Sequence, residues 1–73
     1  MIENNSIAGD ISALMLECTE RLNKTVELAQ GHCNQTEFEA YRDAIGKIMG
    51  AIYFEVLAPI YERHPRLRPK ELD

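Results

Sequence analysis

Residues 46–61, GKIMGAIYFEVLAPIY, form an apolar run with a single Lys and a single Glu, and this run constrains the fold more than any other feature. Placed on a helix at about 100° per residue, the run is apolar most of the way round, which is typical of a helix buried on all sides. A chain of 73 residues offers one domain and a small core, so one partner helix covers only part of this surface. The run therefore predicts an assembly of more than one chain.

The first half of the chain carries the stripe of an amphipathic helix. Asp10 or Ser6 can cap the start of this helix, and Gly31 suits the left-handed position just past its end. We predict helix 1 from about residue 10 to 30 and a loop over residues 31–36. Apolar residues recur along helix 1 at intervals of three and four: Ile11, Met15, Cys18, Leu22, Val26 and Ala29.

A capping-box pattern marks the start of a second helix. In residues 36–39, TEFE, the Thr hydroxyl and the second Glu carboxylate can each accept from the other residue's backbone amide. We predict helix 2 over residues 37–63, ending before His64, because a residue that precedes proline is disfavoured in a helix. Pro59 lacks an amide donor and clashes with the preceding turn, so the helix either kinks or ends there. Residues 64–73 then form a basic tail.

Helix 2 has two apolar sides. The predicted fold is all-α: one domain over residues 1–73, an antiparallel two-helix hairpin that homodimerises into a four-helix bundle. Leaving four or five large apolar side chains in water forgoes roughly 1.5–3 kcal/mol each, which is comparable with the stability of a small domain. The side expected to pack against helix 1 contains Phe38, Tyr41, Ile45, Ile48, Met49, Ile52, Val56 and Ile60. The side expected to form the dimer or partner interface contains Gly46, Gly50, Tyr53, Phe54, Leu57 and Tyr61.

Gly46 and Gly50 lie one turn apart in the middle of helix 2. Each costs about 1 kcal/mol relative to alanine in a helix. The pair therefore predicts that a backbone or a bulky side chain approaches closely at this point. The same spacing is used by membrane helices that dimerise, but Lys47 and Glu55 interrupt the apolar run. We expect no membrane span.

Cys18 and Cys33 are expected to be free thiols. They are about 15 residues apart on and just beyond helix 1, which corresponds to about 20 Å along the axis, whereas bridged Cα atoms lie within about 7 Å of each other. The N-terminal residues MIENNSIAGD lack the basic and apolar segments of a secretion signal. The sequence therefore indicates a reducing, cytoplasmic location.

The sequence offers no pattern of residues that points to catalysis or to a metal. His32 and His64 are predicted at opposite ends of a helix about 40 Å long. His32 and Cys33 are adjacent but have no companion ligands, and the glycines of helix 2 are not in a phosphate-binding loop. We expect no enzyme activity, no cofactor and no metal.

The predicted function is a small non-enzymatic protein–protein interaction or regulatory module that acts as a dimeric helical bundle. Its expected partners are a second copy of the chain and another protein. The alternative is a nucleic-acid-binding regulator in which the paired basic tails contact phosphates. The net charge of −4 disfavours that alternative. The residues that would contact an anionic partner are Arg63, Arg66, Arg68 and Lys70.

Overall fold

A computed structural model describes residues 1–70 of the chain, which fold as two helices packed side by side. The predicted all-α, two-helix hairpin is confirmed, and residues 1–70 contain no strand. The molecule is elongated, with dimensions of 44 × 21 × 16 Å. Its elements are α1 (Asn5–His32), α2 (Gln35–Ala51), a π segment (Ile52–Leu57), α3 (Ala58–Arg63) and a 3-10 turn (Pro65–Leu67).

Helix α1 begins earlier than its sequence stripe predicts. The side chain of Asn4 accepts a hydrogen bond of 3.0 Å from the backbone N–H of Ile7, which caps the first turn. Ser6 and Asp10, the predicted caps, both lie inside α1. The prediction was wrong here because an Asn cap needs only a free amide three residues later, and the apolar stripe does not mark that position.

The connection between the helices is two residues long, so the predicted loop over residues 31–36 is wrong. Gly31 lies inside α1 and does not have a positive φ. The helix ends at His32, and the backbone of Cys33 turns to an extended conformation while its N–H still donates to the carbonyl of Ala29 at 2.9 Å. No left-handed glycine is needed to stop this helix.

Helix α2 starts with a capping box, but two residues before the predicted one. The Asn34 side chain accepts from the N–H of Glu37 at 2.9 Å, and the Glu37 carboxylate accepts from the N–H of Asn34 at 3.3 Å. Asn is as good an N-cap as Thr, so this box competes with the box at residues 36–39. The earlier box adds two residues, about half a turn, to the helix and shortens the connection.

The core is deepest at the end of the hairpin opposite the connection. There Ala8 and Ile60 are fully buried, and Leu57 and Tyr61 are nearly so. Nearer the connection Phe38 and Ile45 are buried. The predicted inward stripe of α1 is confirmed, since all of its members are half-buried: Ile11, Met15, Cys18, Leu22, Val26 and Ala29.

The second helix widens into the π segment just before Pro59. The N–H of Ala58 donates to the carbonyl of Tyr53, five residues earlier, instead of to the carbonyl four residues earlier. A wide turn accommodates a proline, which has no N–H to give and whose ring clashes with the carbonyl four residues before it. The helix therefore does not end at Pro59; it continues to Arg63 and stops at His64, as predicted.

The π segment explains why two predicted interface residues are buried in the single chain. Leu57 is 2% exposed and Tyr61 is almost as buried, so the expectation that they face water was wrong. An extra residue in one turn sets every later side chain back by about 100°, one residue's share of a helical turn. This rotation brings Leu57 and Tyr61 from the outer side of helix 2 to the side that packs against α1.

The N-terminal residues fasten the open end of the hairpin. Nε2 of His64 donates to the carbonyl oxygen of Ile2 at 2.6 Å, and Arg63 donates to the Glu3 carboxylate at 2.8 Å. Leu67, in the 3-10 turn, packs against the core cluster. These contacts hold the start of the chain against the end of α3.

Candidate interaction surfaces

Large apolar side chains remain exposed along the length of the hairpin, and they fall on two sides of it. We define the broad face by Ile7, Leu14, Leu28, Tyr41 and Ile48, and the Phe54 face by Gly46, Gly50, Tyr53 and Phe54. The exposed large apolar residues are Met1, Ile7, Leu14, Leu16, Leu28, Tyr41, Ile48 and Phe54.

The broad face is built from one row of residues on each helix. Ile7 and Leu14 are seven residues apart and Leu28 follows fourteen later, so all three fall within about 60° of one another on the same side of α1. Tyr41 and Ile48 are also seven residues apart, on α2. A hydrogen bond of 2.7 Å between the hydroxyls of Thr25 and Tyr41 joins the two rows edge to edge.

At the connection end, the broad face contains a groove of about 730 Å³, which we call the tip groove. Its wall is mostly apolar. His32 is held there by a hydrogen bond of 3.0 Å between its Nδ1 and the carbonyl of Leu28, and Cys33 presents an exposed free thiol. The lining residues are Thr25, Leu28, Ala29, His32, Cys33, Glu37 and Tyr41.

The Phe54 face is centred on the most exposed large apolar residue of the chain, since Phe54 is 73% exposed. Its ring meets that of Tyr53 edge to face, with centroids 5.1 Å apart. Gly50 lies one turn before Phe54 and Gly46 one turn before that. Apart from the adjoining backbone of their own helix, no atom of the described residues comes within 4 Å of the position a Cβ would take on either glycine. The close neighbour predicted at these glycines is therefore not supplied by the single chain.

Part of the broad face was predicted to be buried between the two helices. Tyr41 and Ile48 were expected to pack against helix 1, but Ile48 is 48% exposed and Tyr41 is also exposed. Ile7, Leu14 and Leu28 were not considered as surface candidates. Their seven-residue spacing was the available signal, but Arg21 occupies the intervening position of the row and interrupts the apolar pattern.

Tyr61 places a polar atom in the core. Its hydroxyl is buried and has no hydrogen-bond partner among the described residues. Burial raises the pKa of Tyr61 above its ordinary value of 10.0, nearby Tyr53 raises it further, and Arg68 lowers it. The hydroxyl is therefore held in its protonated form by the apolar surroundings.

The basic residues of the C-terminal segment are divided between contacts and solvent. Arg63 is ion-paired with Glu3, and Arg68 is half-buried. Arg66 and Lys70 are exposed. The remainder of the predicted tail, residues 71–73, lies outside the described residues. The ion pair to Glu3 reduces the positive charge that this end offers to an anionic partner.

Ionisable and thiol side chains are spread along residues 1–70. In that part of the chain no three His, Cys, Asp or Glu side chains converge on a point where a metal could bind. Cys18 is half-buried and Cys33 is exposed, and both are free thiols as predicted. The ion pairs within α1, Glu17 with Arg21 and Glu20 with Lys24, are exposed to solvent.

The chain was compared with family models, curated proteins and solved structures. No family model, curated protein or solved structure matches the chain. The helical run Gln35–Arg63, 29 residues, is long and apolar enough to cross a membrane by length and composition, a weak criterion that core helices of soluble proteins also meet. In this chain 22% of its most apolar stretch is buried. Within that stretch Ile48 and Phe54 are exposed, whereas Ile52 and Val56 are half-buried against the core.

Proposed function

We propose that the protein is a small non-enzymatic interaction or regulatory module that acts as a dimeric helical bundle. The observation that supports this most is the amount of surface. The chain exposes 5446 Å², whereas a compact monomer of 8.3 kDa exposes about 4,600 Å². The surplus of about 850 Å² is close to the area, about 800 Å² per partner, that a stable protein–protein interface buries.

The proportions of the chain lead to the same proposal. Its radius of gyration is 14.5 Å, while a compact domain of this length has a radius of about 11 Å. A compact body of two such chains has a radius of about 15 Å. A second hairpin laid along the first would therefore turn an elongated half into a compact whole, with four helices around one core.

The Phe54 face is proposed as the site for a different protein. Phe54 projects beside an edge-to-face Tyr53, and the two glycines leave a shallow strip next to them. Exposed aromatic side chains are frequent energetic centres of protein interfaces. In this proposal one side of the hairpin is used for the second copy and the other presents Phe54 to the partner. Tyr61, which is buried, has no part in that contact.

We assign the exposed apolar surface to protein contacts in the cytoplasm. Lys47 and Glu55, both exposed, lie within the apolar part of helix 2, and charged groups are expensive in the middle of a bilayer. The free thiols of Cys18 and Cys33 suit a reducing compartment.

Sedimentation equilibrium of the purified chain tests the dimer. We expect a mass of twice 8.3 kDa at micromolar concentration, and a monomer that persists at hundreds of micromolar, about the limit for a useful homodimer, would overturn the proposal.

The partner face is tested with immobilised wild type and Phe54→Glu as baits. A stoichiometric protein captured by the wild type and lost with Phe54→Glu is expected; equal capture by both baits would contradict the role of Phe54.

A further inference from the structure

The broad face has a groove at one end and an exposed aliphatic side chain at the other. The tip groove, about 730 Å³, lies at the connection end, where Leu28 is 62% exposed. At the open end Ile7 is 51% exposed. Ile7 and Leu28 belong to the same row of α1, and the 21 residues between them correspond to about 30 Å along the helix. The face therefore carries an apolar groove at one end and an exposed aliphatic side chain at the other.

The midpoint of the broad face falls at Cys18 and Ile48. The hydrogen bond between Thr25 and Tyr41 sets these two residues at the same level of the antiparallel hairpin. Cys18 and Ile48 each lie seven residues further from the connection, on α1 and α2 respectively, so they are level with each other. Along α1, Ile7 and Leu28 lie at nearly equal distances from Cys18, eleven residues before it and ten after it.

We propose that a second copy of this chain covers the broad face in the antiparallel direction, so that each copy inserts Ile7 into the tip groove of the other. The inference rests on the proposed dimer and names its interface and direction. A two-fold axis passes between the copies at the level of Cys18 and Ile48, as an isologous contact requires. Each groove then receives the Ile7 side chain of the other copy.

Close packing selects this direction. In the parallel arrangement the tip groove of one copy faces the tip groove of the other and encloses an empty apolar space. Protein interiors and interfaces are packed nearly as densely as organic crystals, so an unfilled hollow of that size is disfavoured. The antiparallel arrangement instead places an Ile7 side chain in each groove. The area is also compatible with a dimer, since the surplus surface of the whole chain is close to one side of a stable interface.

A thiol placed at position 7 tests the contact directly. In the variant Cys18→Ser/Ile7→Cys, the other thiol is Cys33, which lines the tip groove. Within one chain positions 7 and 33 are separated by about 39 Å of helix, far beyond the reach of a disulfide. Any bond between them therefore joins two chains. The control, Cys18→Ser/Asn5→Cys, places the new thiol about 160° away on the same turn of α1.

Mild oxidation of the purified variants is followed by non-reducing gel electrophoresis and mass spectrometric mapping of the linked peptides. We expect a bond from position 7 to Cys33 in high yield, and a yield at least tenfold lower from position 5. Links of position 7 to position 7 and of Cys33 to Cys33 would overturn the antiparallel direction. A dimer in sedimentation with no link from position 7 would overturn the interface.

Two charge variants separate this inference from the proposed dimer itself. Ile48→Glu places a carboxylate at the centre of the broad face, and Phe54→Glu places one on the other side; circular dichroism checks that both remain helical. We expect Ile48→Glu to weaken dimerisation at least about 30-fold, the effect of losing an interface hot spot, and Phe54→Glu to leave it unchanged. The reverse pattern would overturn the interface and keep the dimer, whereas a monomeric wild type would overturn both.

Discussion

The buried hydroxyl of Tyr61 leads to a prediction in which removing a polar group stabilises the protein. The hydroxyl is buried without a partner among the described residues, and an unsatisfied buried polar group costs about 1–3 kcal/mol. Tyr61→Phe keeps the ring and its packing against Ile60 and Leu57 while removing that group. We expect the free energy of unfolding to rise by about 1 kcal/mol, which is about 4–8 °C in Tm for a domain of this size.

Tyr41→Phe is the matched control. It is the same chemical change, but the Tyr41 hydroxyl forms a hydrogen bond of 2.7 Å with Thr25. Its removal is expected to lower stability by about 0.5–1 kcal/mol. The assay is urea unfolding followed by far-UV circular dichroism, with all three proteins at the same concentration, because the stability of an associating protein depends on concentration. If Tyr61→Phe brings no gain, or a loss, the hydroxyl has a partner and the reasoning is refuted.

The pH dependence of stability in the wild type and in Tyr61→Phe gives a second test. Because burial raises the pKa of Tyr61, the folded state keeps the proton to a higher pH than the unfolded state does. The unfolded chain binds fewer protons above pH 10.0, so wild-type stability falls as the pH rises from that value through the folded pKa. Tyr61→Phe lacks this loss. The stability difference between the two proteins should therefore widen at alkaline pH, and a constant difference would contradict the assigned burial.

Three further predictions concern the core, the glycines and the tail. Leu57→Ala should cost about 2–5 kcal/mol in urea unfolding, whereas Phe54→Ala should change stability by less than about 0.5 kcal/mol; equal losses would contradict the burial caused by the π segment. Gly46→Ala and Gly50→Ala should each gain about 0.5–1 kcal/mol in thermal unfolding, and a loss would mean that a second chain packs on the Phe54 face. Titration of labelled RNA and duplex DNA at low salt should give no saturable binding; binding that weakens steeply with salt would instead support the basic tail as a nucleic-acid contact.

The hairpin itself could be predicted from the sequence because α1 is regular. A helix without interruption keeps a constant angle per residue, so the stripe from Ile11 to Ala29 identified the inward side correctly. The end of the second helix could also be predicted, since His64 precedes a proline. These features depend on local geometry that the residue types fix by themselves.

The burial of helix 2 could not be predicted in the same way, because its angle per residue is not constant. A constant 100° per residue does not include the change in angular position that the π segment gives to all later side chains. It therefore predicted Leu57 and Tyr61 on the wrong side of the helix. The proline indicated that the helix would be disturbed there, but not in which manner. Likewise, two capping boxes compete near the connection, and the sequence alone does not choose between Asn34 and Thr36 as the cap.

The hydrogen bond between His64 and Ile2 has a practical consequence for protein engineering. It brings the first residues of the chain next to the end of α3. The opposite end of the hairpin is a turn of two residues, Cys33 and Asn34. A circular permutant that links the termini and opens the chain at this turn would leave every helix whole. The same cut without a linker would yield two peptides suited to a split reporter, in which mixing the halves restores the hairpin.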